Sequence, residues 1–500
     1  MGNANGSQNS NYFRQQLFHN LLPKESSINV EGLFNEYYFD TGITKTNDLI
    51  HSTYQFASVK NILTNEQELY MTIGLNSCED GKNERKYLNL IIVLDVSGSM
   101  SELFDNNSFN TSNEHSQMTK ESKRKIHVAK QVLIELIHNL DAENERLGIV
   151  LFNQNANLLQ PIRKVKEINI NELIERIDGI VPNGGTNMEC GMIMGIDMLS
   201  DLLNENVNDT NNNRIIFLTD AQPNLGGEKS LLDLSKRAAS KNSIYITYIG
   251  IGLDFNSDLV YELTKIHGSN YFSVHSSQEF VRILNNDFNY IVNPIGFNII
   301  TFIDSEKYEI DKIYGIPTSN EHEKSNYVRI DSVTPSAVDD KGCVKGSMIV
   351  VKFREKLTSN LNPSNSIQLT MRYENIHGQK QQQTIPTIIN INDKQDIFYD
   401  NLGIRKAILL LHYTLLIKNI IEDVNHHTKT YYDDLINKEQ QHRLTDNTKM
   451  STMVLKISKN MKNDLLKFRS HFIDEMKILD DNNLKKELDI IDKFRYAEEI

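Results

Sequence analysis

The run Leu88 to Leu94, LNLIIVL, turns without transition into Asp95-Val96-Ser97-Gly98-Ser99, and this junction constrains the chain more than any other stretch. A short, nearly unbroken apolar run rich in Ile, Val and Leu is expected of a strand covered on both faces in a parallel sheet. The polarity then switches at once. Asp95, Ser97 and Ser99 alternate, and Gly98 lets the backbone turn tightly, so a carboxylate and two hydroxyls gather at the strand's carboxyl end. These are hard oxygen donors, suited to Mg²⁺, Mn²⁺ or Ca²⁺ rather than to a soft metal. Alone, the spacing is a weak signal, because Asp and Ser are common after strands as turn and cap residues.

Two later stretches add to it. Pro182-Asn183-Gly184-Gly185 leads into Thr186 at the opening of a helix, and the apolar run Ile215 to Leu218 leads into Thr219-Asp220. Asp95, Ser97, Ser99, Thr186 and Asp220 thus stand in order at three element ends. In the forms DVSGS, GGT and TD this constellation resembles the metal-ion-dependent adhesion site of the von Willebrand factor type A family, over about residues 86–292. The resemblance implies a doubly wound, Rossmann-like α/β domain of strand order 3-2-1-4-5-6, with the metal at the switch point. It implies that Ser97, Ser99 and Thr186 give oxygens at or near the ion, with Asp95 and Asp220 acting directly or through water. The implied cofactor is Mg²⁺, with Mn²⁺ or Ca²⁺ as alternatives, and the implied partner is a protein presenting an exposed Asp or Glu.

The alternation of apolar strands with amphipathic helices supports the same fold class. A polar insertion follows Met100. A helix from Lys123 to Leu140 then carries Ile126, Ala129, Val132, Leu133, Leu136, Ile137 and Leu140 as its buried stripe. Strands are expected at Arg146–Phe152, at Ala156–Leu159 as an antiparallel edge, before Asp220, at 243–250 and at Tyr271–Val274. Helices are expected at about 169–178, 187–204, 230–241, 257–266 and 278–290.

Outside this unit the pattern changes. Residues 1–30, rich in Asn, Ser and Gln, are expected to be a disordered leader, and 36–80 contain strand-like runs such as TYQFASVKNIL and ELYMTIGL. Residues 294–392 contain strands without intervening helices, which is expected of an antiparallel β-sandwich. Residues 36–80 are too short for a sheet core, so they are expected to pair with this later block, leaving the α/β domain inserted in a split β domain. Residues 396–500 form a C-terminal helical region. Its apolar stripe Val454, Ile457, Met461, Leu465, Phe468, Phe472, Met476 and Leu479 favours a helical hairpin packed on its own domain over a coiled coil or partner-binding face.

Composition narrows the function. At 500 residues the chain needs two or three domains, and its net charge of −13 argues against a nucleic-acid backbone binder. Cys78, Cys190 and Cys343 are few and far apart, which excludes a disulfide framework and a Cys-rich zinc site and points to a reducing compartment. The first residues lack the apolar core of a signal peptide, and no run approaches a membrane helix, so a cytoplasmic protein is expected. Gly2 meets the amino-terminal lipidation pattern only in part, since the usual hydroxyl position holds Gly6 and Ser7 comes one place late, which disfavours membrane association by N-myristoylation.

The expected function is a non-enzymatic, metal-dependent protein-interaction module. An alternative is a regulatory or substrate-presenting subunit of a larger complex, since type A domains accompany ATPase, ubiquitin-ligase and chelatase assemblies. Strands on both sides of such a domain also resemble, at a distance, the inter-alpha-trypsin inhibitor heavy chains. A metal-dependent hydrolase is disfavoured, because the Ser97 hydroxyl has no nominated base; His115 and His127 read as a loop and a helix-face histidine. PNGGTNM lacks the lysine and span of a phosphate-binding loop.

Overall fold

The computed structural model describes residues 28–42, 49–76, 87–103, 124–205, 211–220, 227–251, 266–274, 294–316, 326–335, 338–346, 348–356, 366–375, 378–388, 397–438 and 456–499, with isolated residues between them and near the amino terminus. Gly2, Cys78, His115, Val454, the body of the insertion after Met100 and the helices expected near 257–266 and 278–290 lie wholly or largely outside the described residues.

The amino-terminal elements are helix α1 (Val30–Phe34), opened by the Asn29 side chain accepting the Gly32 N–H at 2.6 Å, and strands β1 (Tyr38–Phe39), β2 (His51–Lys60) and β3 (Gln67–Asn76). Residues 1–12 of the expected disordered leader lie outside the described residues, and described residues after them pack into a core. Phe13 and Leu17 are buried, Ile28, Val30, Leu33 and Phe34 join the same core, and Arg14 is paired. Apolar burial and a buried ion pair outweigh the polar composition around them.

The α/β unit begins with β4 (Leu88–Asp95), every residue of which is buried. Helix α2 (Lys125–His138), strands β5 (Arg146–Phe152) and β6 (Ala156–Lys164), helices α3 (Ile170–Asp178) and α4 (Met188–Glu205), β7 (Asn212–Thr219), helix α5 (Gly227–Asn242), β8 (Ile244–Ile251) and β9 (Asn270–Val274) follow. The sheet runs β6-β5-β4-β7-β8-β9, the 3-2-1-4-5-6 order, parallel except for β6. Period-two geometry splits β4 between two cores. Leu88, Leu90, Ile92 and Leu94 face α2 and α3, while Ile91 and Val93 face α4 and α5. Gly195 lets α4 approach closely, since a Cβ there would lie 2.9 Å from Val93 Cγ2. Strand β6 runs beyond the expected Leu159, carrying Pro161 through a register shift against β5 on the sheet edge, where a missing N–H is tolerated.

Asn212 holds both ends of this unit. Its backbone N–H donates to Tyr87 O at 2.8 Å and its side chain to Val292 O at 2.8 Å, so the chain enters and leaves at one place. Beyond it come β10 (Gly296–Ser305), β11 (Tyr308–Tyr314), β12 (Tyr327–Val333), β13 (Val344–Lys345), β14 (Met348–Glu355), β15 (Ser366–Asn375), β16 (Lys380–Ile388) and β17 (Phe398–Tyr399). Strand β13 pairs with β1, and the others join β2 and β3 in two antiparallel sheets, β12-β10-β15-β16 and β11-β14-β3-β2-β17, around a shared core that includes Met71, Ile73, Ile299, Ile330, Val351 and Leu369. The five-stranded sheet is covered on its other face by α6 (Leu402–Lys438), so Ala57, Val59, Tyr70 and Val350 share a core with Ala407, Leu411 and Ile417. Helices α7 (Lys459–Leu479) and α8 (Lys485–Arg495) complete that core through Leu465, Phe468, Phe472, Ile490 and Phe494. No described helix is long and apolar enough to cross a membrane.

Sheet and helices are joined by one polar contact with a pH consequence. Glu68 on β3 accepts hydrogen bonds from Lys352 Nζ (2.7 Å) and Tyr70 OH (2.9 Å) and lies 3.2 Å from His412 Nε2 of α6. Burial alone would raise its carboxyl, but hydrogen bonds from His412 and Lys352 and the His412 charge bring it down to about 2. A depressed carboxyl stabilises the fold above its unfolded range and loses that contribution as pH falls through the folded value. The linked free energy is up to about 3 kcal/mol. Glu68→Gln is therefore expected to lower stability at pH 6, the gap to wild type narrowing toward pH 2 in urea titrations. A gap constant with pH would remove Glu68 from the acid limb.

Candidate metal-binding site

The site sits where β4 and β7 end. Asp95 is fully buried: its Oδ1 accepts the Ser97 N–H at 2.8 Å and its Oδ2 accepts the Thr219 hydroxyl at 2.7 Å. Burial pushes the Asp95 carboxyl up, against the hydrogen bonds from Ser97 and Thr219 that pull it down. A 3₁₀ turn, Gly98–Ser101, starts directly after Ser97, with Met100 buried beneath it, and aims the hydroxyls of Ser97 and Ser99 at each other, 3.1 Å apart. Ser99 Oγ donates to Asp220 Oδ1 at 2.7 Å. Asp95, Ser97, Ser99 and Asp220 are therefore brought together by hydrogen bonds.

Thr186 arrives by backbone. The loop before it is fastened to the strand end, with Asn183 N–H donating to Val96 O (2.8 Å) and Gly98 N–H to Gly184 O (3.1 Å). Gly184 has φ +77°, and a Cβ there would lie 2.1 Å from Gln154 Oε1, which itself accepts the Gly185 N–H at 2.8 Å. The left-handed backbone favours glycine, whereas the Gln154 side chain could swing away from a Cβ. Asn187, whose side chain accepts the Cys190 N–H, caps α4, so Thr186 stands one residue before the cap, half-buried. Among the described residues, Thr186 shares no hydrogen bond with the other four.

Three participants are not apparent from sequence. Thr219 holds Asp95, as above. Lys125, the first residue of α2, places Nζ 2.8 Å from Asp220 Oδ2 and 3.1 Å from Glu102 Oε2. Burial works against the Lys125 ammonium, but the hydrogen bond and charge of Asp220 hold it above the ordinary lysine range. Glu102 follows the 3₁₀ turn and is more than half exposed. The flanking loop is open to solvent, with Val181 71% exposed.

The donor set is all oxygen. Among the described residues no three His, Cys, Asp or Glu side chains converge, so an ion here would depend on hydroxyls beside the two carboxylates. An octahedral Mg²⁺ at its usual bond length sets neighbouring ligand oxygens about 3.0 Å apart. The Ser97–Ser99 and Ser99–Asp220 separations of 3.1 and 2.7 Å bracket that spacing.

Residues 90–222, which contain all five candidate residues, match the family model of the von Willebrand factor type A domain. The chain carries a type A domain. Its relatives include human inter-alpha-trypsin inhibitor heavy chain H4, 24% identical over 219 residues, which are 43% of this chain and 21% of that protein. Another is pig inter-alpha-trypsin inhibitor heavy chain H2, 23% identical over 218 residues, 42% of this chain and 20% of that one. The chain thus spans about a fifth of the length of the relatives it matches. Among solved structures, a von Willebrand factor type A protein from Catenulispora acidiphila has a TM-score of 0.40 at 12% identity, covering 69% of this chain and 75% of its own. The ArnB paralog VWA2 from Sulfolobus acidocaldarius has a TM-score of 0.39 at 12% identity, covering 90% and 100%.

Proposed function

We propose that the type A domain is a divalent-ion-dependent protein-interaction module of the cytoplasm, presented on a split β-sandwich backed by the C-terminal helices. The supporting observation is the convergence of Ser97, Ser99 and Asp220 oxygens at 2.7 to 3.1 Å beside Asp95, at the carboxyl ends of two neighbouring parallel strands. Ser97, Ser99 and Thr186 would hold the ion, with Asp95 and Asp220 binding directly or through water. The group supplies one thing when bound: an electrophilic position, which Mg²⁺ leaves to exchangeable water, for a carboxylate to complete.

The chain's residues do the rest. Asp95 and Thr219 fix the loop from below, the Gly184–Gly185 loop keeps the approach open, and exposed Val181 offers apolar contact beside an incoming acidic residue. No catalytic residue is assigned, because the Ser99 hydroxyl is engaged with Asp220 and the Ser97 hydroxyl with Ser99. The cytoplasmic setting is supported by Cys190 and Cys343 being free thiols.

The test is affinity capture from native lysate with wild type in Mg²⁺, wild type in EDTA, and Asp220→Ala in Mg²⁺. Partners held in the first sample and lost from the other two are expected. Identical partner sets in all three would reject the reading.

A further inference from the structure

Lys125 is a buried cation at the edge of an anionic site. Its side chain is 11% exposed and that of Asp220 is fully buried, whereas Glu102 is 59% exposed. Lysine is rarely buried unless paired. Here the ammonium lies between two carboxylates, 2.8 Å from Asp220 Oδ2 and 3.1 Å from Glu102 Oε2. Both oxygens of Asp220 are thereby engaged, Oδ1 by Ser99 and Oδ2 by Lys125. The lysine is also tethered. Its backbone N–H donates to Glu102 O at 3.0 Å, and Arg124 donates to Ser101 O at 2.8 Å, so the start of α2 and the turn bearing Ser99 are one piece.

We propose that Lys125 is a built-in competitor for the divalent ion: its ammonium neutralises Asp220 when no ion is bound and moves wholly to Glu102 when one is. The inference rests on the metal-site reading above. Two like charges cannot share the Asp220 carboxylate without repulsion, and the flexible lysine stem lets Nζ shift between carboxylates that already sit on either side of it. Glu102, at the solvent edge, keeps the displaced ammonium paired. Ion affinity is then set below what the oxygen ligands alone would give, and the start of α2 reports whether an ion is present.

The two partners have opposite predicted effects. In calorimetric Mn²⁺ titrations of the full chain, Lys125→Met is expected to bind at least tenfold more tightly than wild type, and Lys125→Gln to tighten in the same direction. Glu102→Gln is expected to bind at least threefold more weakly, because the ammonium loses its second carboxylate. In the Lys125→Met background Glu102→Gln should change affinity less than twofold, since residues that act as a unit are non-additive. In EDTA, Lys125→Met should melt below wild type and recover on adding Mn²⁺. If both folded lysine variants bind Mn²⁺ no more tightly than wild type, the competitor role is overturned. An equal loss from Glu102→Gln in both backgrounds overturns the exchange between carboxylates. If neither wild type nor the lysine variants bind Mn²⁺, the metal-site reading itself fails and takes this inference with it.

Discussion

Replacing Glu487 with alanine is expected to destabilise the chain by about 3–5 kcal/mol, as when one partner of a buried ion pair is removed. Glu487 is 1% exposed on α8 and accepts from Arg14 Nη2 at 2.5 Å and from Tyr37 OH at 2.7 Å. Arg14 also donates to Glu36 at 2.9 Å, and Lys486 reaches the same Glu36 oxygen at 2.8 Å. Burial disfavours the Arg14 guanidinium, yet the charges of Glu487 and Glu36 hold it above even its ordinary range. Without Glu487 the guanidinium keeps the Glu36 carboxylate, and Tyr37 is left with only the longer hydrogen bond to Asn483 O at 3.3 Å. Lys486→Ala is the control: its side chain is 36% exposed, so its loss should cost no more than about 1 kcal/mol. Urea denaturation of the two variants checks the contrast. Equal small losses would mean that the amino-terminal segment is not anchored through Arg14.

Asp95→Asn should leave the chain folded and weaken divalent-ion binding by at least about 100-fold, in keeping with the loss of a charged ligand-shell group from a hard-cation site. The amide can accept the Ser97 N–H through its oxygen and donate to the Thr219 hydroxyl, so the loop keeps its geometry. A carboxyl whose folded pKa is raised is stabilising while protonated and becomes a liability as pH rises through that value. Burial raises the Asp95 carboxyl, so in EDTA at neutral pH the variant should melt no lower than wild type. Retained ion affinity, or a large drop in metal-free melting temperature, would contradict this account of Asp95.

The residues legible in sequence were those whose role is local. Leu88 to Leu94 reads as a doubly covered strand because each residue is apolar enough for both faces, and Asp95, Ser97 and Ser99 follow at fixed spacing on the same turn. Lys125 escaped because a lysine heading an amphipathic helix ordinarily faces water; only the fold brings it against Asp220, 95 positions away. Thr219 was passed over as a neighbour of Asp220, although strand alternation turns it inward to Asp95. Strand β11 is hard to read in the sequence because a register shift between Ile310 and Lys312 puts Ile310 and Ile313 on one face at a spacing of three, which hides the alternation. Phe13, Arg14 and Leu17 were hidden by their polar neighbours, and the Arg14–Glu487 partnership spans 473 positions.

Whether Asp95, Ser97, Ser99, Thr186 and Asp220 hold a divalent ion is decided by calorimetric titration of the metal-stripped full chain with Mn²⁺, repeated with excess Mg²⁺ and with Asp220→Ala. Saturable binding that Mg²⁺ competes away and Asp220→Ala abolishes is predicted. The same heats from wild type and Asp220→Ala would place any bound ion elsewhere and contradict the claim.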